Sequence, residues 1–217
     1  MSGFLLSLGP MQEAALSPTS IAVTDLACRR GDRVLFSRLS FRLNAGEALQ
    51  VAGHNGIGKS SLLRIIAGLA PAFAGSVSVE GSVGLIDERP ALDPALPLGR
   101  ALAFWGALDG LGKSSQASGD LARLGLASLL DVPVRYLSTG QKKRAALARL
   151  LGQKSRVWLL DEPLNGLDGH AVELAETITE QHCAAGGIAV IASHQTFRLA
   201  AMRVLPLSDF ALQERAA

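Results

Sequence analysis

Apolar and polar residues follow a regular pattern in the first third of the chain. Apolar side chains alternate with polar ones over residues 39–43, and a mostly apolar run follows at 49–52, so this pattern predicts two strands. From Lys59 the apolar residues recur at helical spacing, and Gly68 with Pro71 provides a stop signal. A helix is therefore expected directly after the second strand.

Two further segments extend the pattern. Alternating valines and leucines at 77–79 and 83–85 flank a turn at Gly81, which predicts a β-hairpin. Apolar residues then return at helical spacing over 98–130 with little strand signal, so this stretch is expected to form an all-helical lobe.

The last third of the chain alternates between helix and strand. A polar helix over about 141–153 precedes a strand at 157–160, and a helix over about 170–184 precedes a strand at 188–192. Strands separated by helices of this length predict right-handed βαβ units and a buried, mainly parallel sheet. The fold class is therefore expected to be α/β.

Composition narrows the possible function classes. The 217 residues are 48% apolar and carry a net charge of +2, which provides no basic field for nucleic-acid binding. Mean hydropathy is high at +0.28, yet the longest stretch without charged residues or histidine, 65–79, is broken by glycine and proline and is too short to cross a bilayer. Cys28 and Cys183 have neither metal-binding nor redox spacing.

A glycine-rich loop lies between the predicted strand at 49–52 and the helix that begins near Lys59. Its sequence matches the phosphate-loop pattern, in which glycines let backbone N–H groups surround phosphate at a helix N-terminus. Lys59 would reach the β- and γ-phosphates, and the Ser60 hydroxyl would bind Mg²⁺. The predicted ATP-binding residues of this loop are Gly53, His54, Asn55, Gly56, Ile57, Gly58, Lys59, Ser60 and Ser61.

Two carboxylates follow the predicted strand at 157–160. Ligand sites form at the carboxyl edge of parallel sheets, so Asp161 is placed to hold Mg²⁺ through water. Glu162 is placed to polarise the attacking water as a general base. An Asp-Glu pair alone would more often be a solvated strand end, and its pairing with the phosphate loop favours the functional interpretation.

The order of motifs along residues 20–205 resembles that of ABC transporter ATPases. Between the phosphate loop and Asp161 lies a segment similar to the family's LSGGQ signature, comprising Leu137, Ser138, Thr139, Gly140 and Gln141. The resemblance implies a P-loop NTPase fold of ABC type, with a mainly parallel core, an antiparallel β subdomain and a helical lobe. It also implies that the signature binds ATP held by a second copy, so that two ATPs lie within a head-to-tail dimer. Considered alone, Ser138 or Thr139 before Gln141 would favour a helix cap.

The same resemblance assigns two further positions. Asp168 matches the D-loop, which links the two sites across the dimer, and His194 matches the switch histidine that contacts the γ-phosphate. Catalysis is accordingly expected to depend on Lys59, Glu162 and His194. The side chains of the other three histidines have no such support.

Two positions depart from the family pattern. Arg30 stands near the place of the usual aromatic residue that stacks on adenine, and a guanidinium can stack on a base as well, although a solvated arginine is equally compatible. The Q-loop glutamine is replaced by Glu88 or Arg89, and the sequence leaves open which of the two occupies its place. The resemblance therefore assigns the glutamine's Mg²⁺-sensing role to neither residue.

A closer resemblance is to the CcmA family, the haem-exporter ATPases of cytochrome c biogenesis. Supporting segments lie at 30–37, 39–47, 146–150 and 186–195. The resemblance implies ATP and Mg²⁺ as ligands, a CcmB-like membrane subunit, a CcmC-like subunit and a peripheral location on the cytoplasmic side of the cell inner membrane. The alternative is the ATPase subunit of another ABC exporter or importer.

The expected organisation follows from these assignments. Residues 1–18 are expected to be a disordered leader, 19–210 the ATPase domain and 211–217 a tail. Within the domain, 19–90 and 155–210 would form the nucleotide-binding core, and about 91–154 the helical lobe. The apolar segment with Leu96, Leu98, Leu102, Phe104 and Trp105 is expected to supply both lobe core and a surface for the membrane partner.

Overall fold

The computed structural model describes residues 19–109 and 118–211, and the expected leader and nearly all of the expected tail lie outside these ranges. The strands are β1 (Ser20–Arg30), β2 (Arg33–Asn44), β3 (Ala48–Ala52), β4 (Ala74–Glu80), β5 (Val83–Ile86), β6 (Val157–Asp161), β7 (Ile188–Ala192) and β8 (Met202–Pro206). The α-helices of these ranges are α1 (Lys59–Ile66), α2 (Leu98–Leu108), α3 (Ser118–Arg123), α4 (Thr139–Gln153) and α5 (Gly169–Ala184).

The strands form two sheets with different pairing. The larger sheet has the order β5-β6-β7-β3-β8, and all of its strand pairs are parallel. The smaller sheet has the order β2-β1-β4 and is antiparallel. The predicted α/β class, with a parallel core, an antiparallel β subdomain and helices between strands, is confirmed.

The predicted hairpin around Gly81 is wrong. β4 pairs with β1 in the antiparallel sheet, whereas β5 pairs with β6 in the parallel sheet. Gly81, with a φ of 114°, lies where the chain leaves one sheet for the other, close to the Arg156 side chain. The alternating apolar residues correctly indicate two strands. The strands that pair with them are distant in sequence, so the local pattern does not identify the pairing.

The parallel sheet is covered on both faces. Every residue of β6 and β7 is buried, as expected for strands between two layers. On one face, β3 directs Leu49 and Val51 into a core shared with α1 and the antiparallel sheet. On the other face, Ala48 joins a core formed with α4, α5 and the lobe helices.

The lobe residues divide between core and surface. Leu98 and Leu102 on α2 are fully buried, while Phe104 on the same helix is 57% exposed. Trp105 is half-buried, and its ring lies 4.4 Å from the guanidinium carbon of Arg149 on α4. In the described ranges, no helix is long and apolar enough to cross a membrane.

The parallel register brings three loops to one edge of the sheet. Val51 of β3 and Asp161 of β6 are both paired with Ala192 of β7, so these three strands end at the same level. The loops that follow them carry Gly53, Glu162 and His194 respectively. This edge is where ligand sites form in open parallel sheets.

Candidate nucleotide-binding site

Glycine conformation shapes the loop between β3 and α1. Gly53, Gly56 and Gly58 all have positive φ values, of 149°, 83° and 117°. At Gly58 a Cβ atom would also lie 3.1 Å from the Phe36 ring, so a larger residue would displace the loop. Gly58 is the N-cap of α1 and has no side chain to cap it, which leaves N–H groups at the helix start for an anion.

The Lys59 ammonium group lies inside this loop. Its Nζ donates to the Gly53 carbonyl at 2.8 Å and lies 3.4 Å from the His54 carbonyl oxygen. It also lies 3.5 Å from Oε1 of Glu162, and the lysine side chain is only 5% exposed. The Lys59 ammonium group is thereby held between the backbone of the loop and Glu162, which directly follows β6.

Asp161 is a buried carboxylate with one unsatisfied oxygen. Its residue exposure is 3%, and Oδ1 has no hydrogen-bond partner. Burial raises the pKa of the Asp161 carboxyl, while a hydrogen bond with Ser60 opposes that rise. A buried, unpaired carboxylate oxygen beside the Ser60 hydroxyl fits a hard divalent cation, which prefers oxygen ligands.

Glu162 connects the lysine with the loop after β7. Its Oε2 lies 2.9 Å from Nδ1 of His194, and its backbone N–H donates to the Ala192 carbonyl at 2.8 Å. Glu162 has a φ of 44°, a left-handed conformation that is uncommon for residues other than glycine. This strained backbone directs the carboxylate to a point between Lys59 and His194.

These groups share a cavity of about 280 Å³. Its lining residues are Arg30, Leu35, Asn55, Gly56, Gly58, Lys59, Ser60, Ser61, Glu88, Asp161, Glu162, Asn165 and His194. Most of the predicted ATP-binding, metal and catalytic residues are therefore brought together. Ile57 is buried behind the loop, and Nδ1 of His54 faces the carbonyl of Asn55.

Glu88, not Arg89, faces this cavity. The Arg64 guanidinium lies 2.8 Å from Asp87, whose other oxygen accepts from the Glu88 N–H at 2.7 Å. This arrangement fixes the backbone where β5 ends. Arg89 instead lines a separate groove between the parallel sheet and α4. The structure thus separates the two candidates that the sequence left open.

The signature segment and Asp168 lie outside the cavity of their own chain. Ser138 accepts from the Gln141 N–H at 3.2 Å and Gln141 accepts from the Ser138 N–H at 2.8 Å, forming a capping box at the start of α4. Asp168 caps α5 by accepting from Ala171 at 2.8 Å. Leu137 is buried, while Thr139 packs near Gly166 of the loop after β6. The helix-cap interpretation of Ser138 therefore describes its contacts within one chain.

The sequence did not identify four residues at or beside this site. Leu35 and Asn165 line the cavity; Leu35 lies in the supporting segment at 30–37 and Asn165 lies shortly before Asp168, but neither was expected to be a site residue. Lys143 lies behind Asp161, with Nζ 3.4 Å from its backbone oxygen, and burial lowers the pKa of this lysine. Gln50 interrupts an otherwise apolar strand, and that polarity was a signal that could have been used.

Comparison with known proteins defines the class. Residues 36–165 match the family model described as ABC transporter, which covers more than half of the chain, so this protein belongs to the ABC transporter family. It is an ATP-hydrolysing transporter subunit, and the family implies ATP binding, dimerisation and a membrane partner.

Curated relatives narrow the class to one kind of subunit. Over 92% of its length the chain is 54% identical to the "Cytochrome c biogenesis ATP-binding export protein CcmA" of Novosphingobium aromaticivorans, of which it covers 99%. The protein of the same name in Zymomonas mobilis is 49% identical over 88% of this chain and 85% of the relative. The chain therefore belongs with the CcmA proteins of this family.

Solved structures support the fold alone. An inward-facing putative metal-chelate type ABC transporter aligns with a TM-score of 0.71 at 24% identity, over 82% of this chain and 74% of that chain. An ATP-binding subunit of an ABC transporter aligns with a TM-score of 0.74 at 22% identity, over 80% of this chain and 79% of that chain.

Proposed function

We propose that this chain hydrolyses ATP for a complex that exports or delivers haem during cytochrome c biogenesis. The observation that carries the ATPase part is the cavity in which Lys59, Ser60, Asp161, Glu162 and His194 converge. The haem part rests on the sequence resemblance and on relatives named as export proteins of cytochrome c biogenesis.

Nucleotide binding is proposed to use the loop at 53–61. Its backbone N–H groups and Lys59 would hold the phosphates, since glycine backbone and a helix N-terminus favour anions. Arg30 would stack on the adenine. Ser60 and Asp161 would hold Mg²⁺, which when bound neutralises charge on the phosphates. The unpaired Asp161 oxygen is the feature that supports this metal assignment.

Hydrolysis is proposed to require Glu162 as the base. Its carboxylate would accept a proton from the attacking water, and His194, 2.9 Å from it, would keep the carboxylate directed at that water and contact the γ-phosphate. Glu88 would approach the same site from the end of β5, in the place of the Q-loop glutamine. A carboxylate there would add negative charge on the side of the cavity where Mg²⁺ is expected.

Dimer closure would complete each site. The residues of the signature segment, 137–141, would bind the nucleotide held by the other copy, and Asp168 would link the two sites. Because those contacts exist only in the closed dimer, ATP would favour closure and hydrolysis would reverse it. A CcmB-like membrane subunit and a CcmC-like subunit would receive this motion at the cytoplasmic face of the cell inner membrane.

A matched pair of lysine variants tests this function in a strain that lacks the gene. Lys59→Asn should abolish both ATP hydrolysis by the purified complex and covalent haem attachment to c-type cytochromes. Lys154→Asn should leave both normal, because Lys154 is exposed and asparagine tolerates its left-handed conformation. Normal cytochrome c in the Lys59→Asn strain would contradict the ATPase assignment, and normal cytochrome c in the deletion strain would contradict the haem assignment.

A further inference from the structure

Gln50 is a polar residue in the middle of the buried parallel sheet. It lies on β3 between β7 and β8, opposite Ile191 and Val204, and is 6% exposed. Alternation along the strand places Gln50 on the face opposite Leu49 and Val51. A buried amide in a sheet of apolar residues is costly unless its hydrogen bonds are made.

The Gln50 amide forms a hydrogen bond with the loop that follows β7. Its Nε2 donates to the Gln195 backbone carbonyl at 2.7 Å, a contact that spans 145 positions of the sequence. The Gln195 N–H donates to the Ser193 hydroxyl at 3.0 Å. Both backbone polar groups of Gln195 are therefore paired, directly after His194 in the chain.

The Gln195 side chain extends this network toward the loop after β6. Its Nε2 lies 3.3 Å from Oδ1 of Asn165, which lines the nucleotide cavity. Gln195 therefore connects this loop both to Gln50 on β3 and to Asn165 in the loop after β6. The preceding residue, His194, has its Nδ1 2.9 Å from Oε2 of Glu162.

We infer that Gln50 is a positioning residue for hydrolysis, which fixes the loop at 193–196 so that His194 meets Glu162. The inference rests on the proposed roles of these two residues. Gln50 does not line the nucleotide cavity, so it acts through the loop rather than on ATP. A misplacement of about 1 Å at a catalytic group can lower a rate on the order of a hundredfold.

The main test replaces the amide without changing side-chain length. Gln50→Met in the purified complex should lower kcat on the order of ten- to a hundredfold, with the KM for ATP within about twofold of the wild-type value. Gln181→Met is the matched control, since this glutamine is exposed on α5 and its side chain bonds only to Arg123 among the contacts described; it should leave kcat unchanged. A folded Gln50→Met protein with wild-type kcat would overturn the inference.

A double-mutant cycle separates positioning from general loss of structure. In a His194→Ala background, Gln50→Met should change the residual turnover less than about twofold, because the group it positions is already gone. A further tenfold fall would overturn the inference. If Gln50→Met does not fold, Gln50→Asn keeps the amide but is one methylene too short, and the same two outcomes apply. Absence of ATPase activity in the wild-type complex would instead contradict the proposed function.

Discussion

Replacing Glu162 by glutamine removes one negative charge from the cavity while keeping the length of the side chain. The carboxylate lies 3.5 Å from Lys59 and 2.9 Å from His194, and we propose that it takes the proton from the attacking water. Loss of a general base typically lowers a rate about 10²- to 10⁴-fold, which corresponds to about 3 to 5 kcal/mol in the activation barrier.

The fold should tolerate this change. Glutamine can occupy the same left-handed backbone position, and the Lys59 ammonium still donates to the Gly53 carbonyl at 2.8 Å. We expect the free energy of unfolding to fall by no more than about 2 kcal/mol, since the lost ion pair is long and the lysine keeps other acceptors. ATP binding should be unchanged or tighter, because a negative charge near the phosphates is removed.

The assay is single-turnover ATP hydrolysis by the purified complex, with ATP binding measured separately. The Glu162→Gln complex should bind ATP and remain as a closed dimer in size-exclusion chromatography, with hydrolysis reduced at least a hundredfold. Glu180→Gln, an exposed residue on α5, is the matched control and should behave as the wild type. Hydrolysis within tenfold of the wild-type rate would refute the assignment of Glu162 as the base.

Three further predictions concern nucleotide binding and acid stability. Gly58→Ala should weaken ATP binding at least tenfold in calorimetry, because the new methyl group meets the Phe36 ring at 3.1 Å in a left-handed backbone; unchanged affinity would contradict this constraint. Arg30→Ala should raise the Kd for ATP about fivefold or more while kcat stays constant, whereas Arg29→Ala, which removes a cation–π contact with an aromatic ring outside the cavity, should not. Burial lowers the pKa of His182 to about 4, so only the unfolded chain takes up this proton as the pH falls from 6.5 toward 4, and stability should fall by up to about 3 kcal/mol across that window. His182→Gln should remove most of this loss in urea unfolding, and an unchanged pH slope would show that other groups cause it.

The segments that line the cavity could be located from the sequence because their signals are local. The phosphate loop depends on glycines that adopt positive φ and on a helix that begins at Lys59, and both features can be recognised within nine residues of sequence. Asp161 and Glu162 could be located at the carboxyl end of a strand because the apolar run at 157–160 indicates a buried strand and the acidic pair follows it. The parallel arrangement of strands then brings these segments together without further information.

Contacts between distant segments could not be predicted in this way. The sequence favoured neither Glu88 nor Arg89, because adjacent residues in a loop can face opposite sides. In the structure the Glu88 N–H donates to the Asp87 carboxylate, Glu88 lines the nucleotide cavity and Arg89 lines a separate groove. The sequence likewise could not show that Leu102 is fully buried and Phe104 exposed. Both belong to one apolar helix, and its packing against α4 decides which side chains are covered.

What the sequence alone determined is the class of fold, the location of the phosphate loop and the order of the strand ends, because each depends on backbone preferences within a short segment. What only the tertiary structure decided is pairing across the chain. It assigned β4 and β5 to different sheets, and it joined Gln50 to Gln195 over 145 positions. The strand pairing and this hydrogen bond depend on which distant segments pack together in the two hydrophobic cores, and a short sequence pattern carries no information about that.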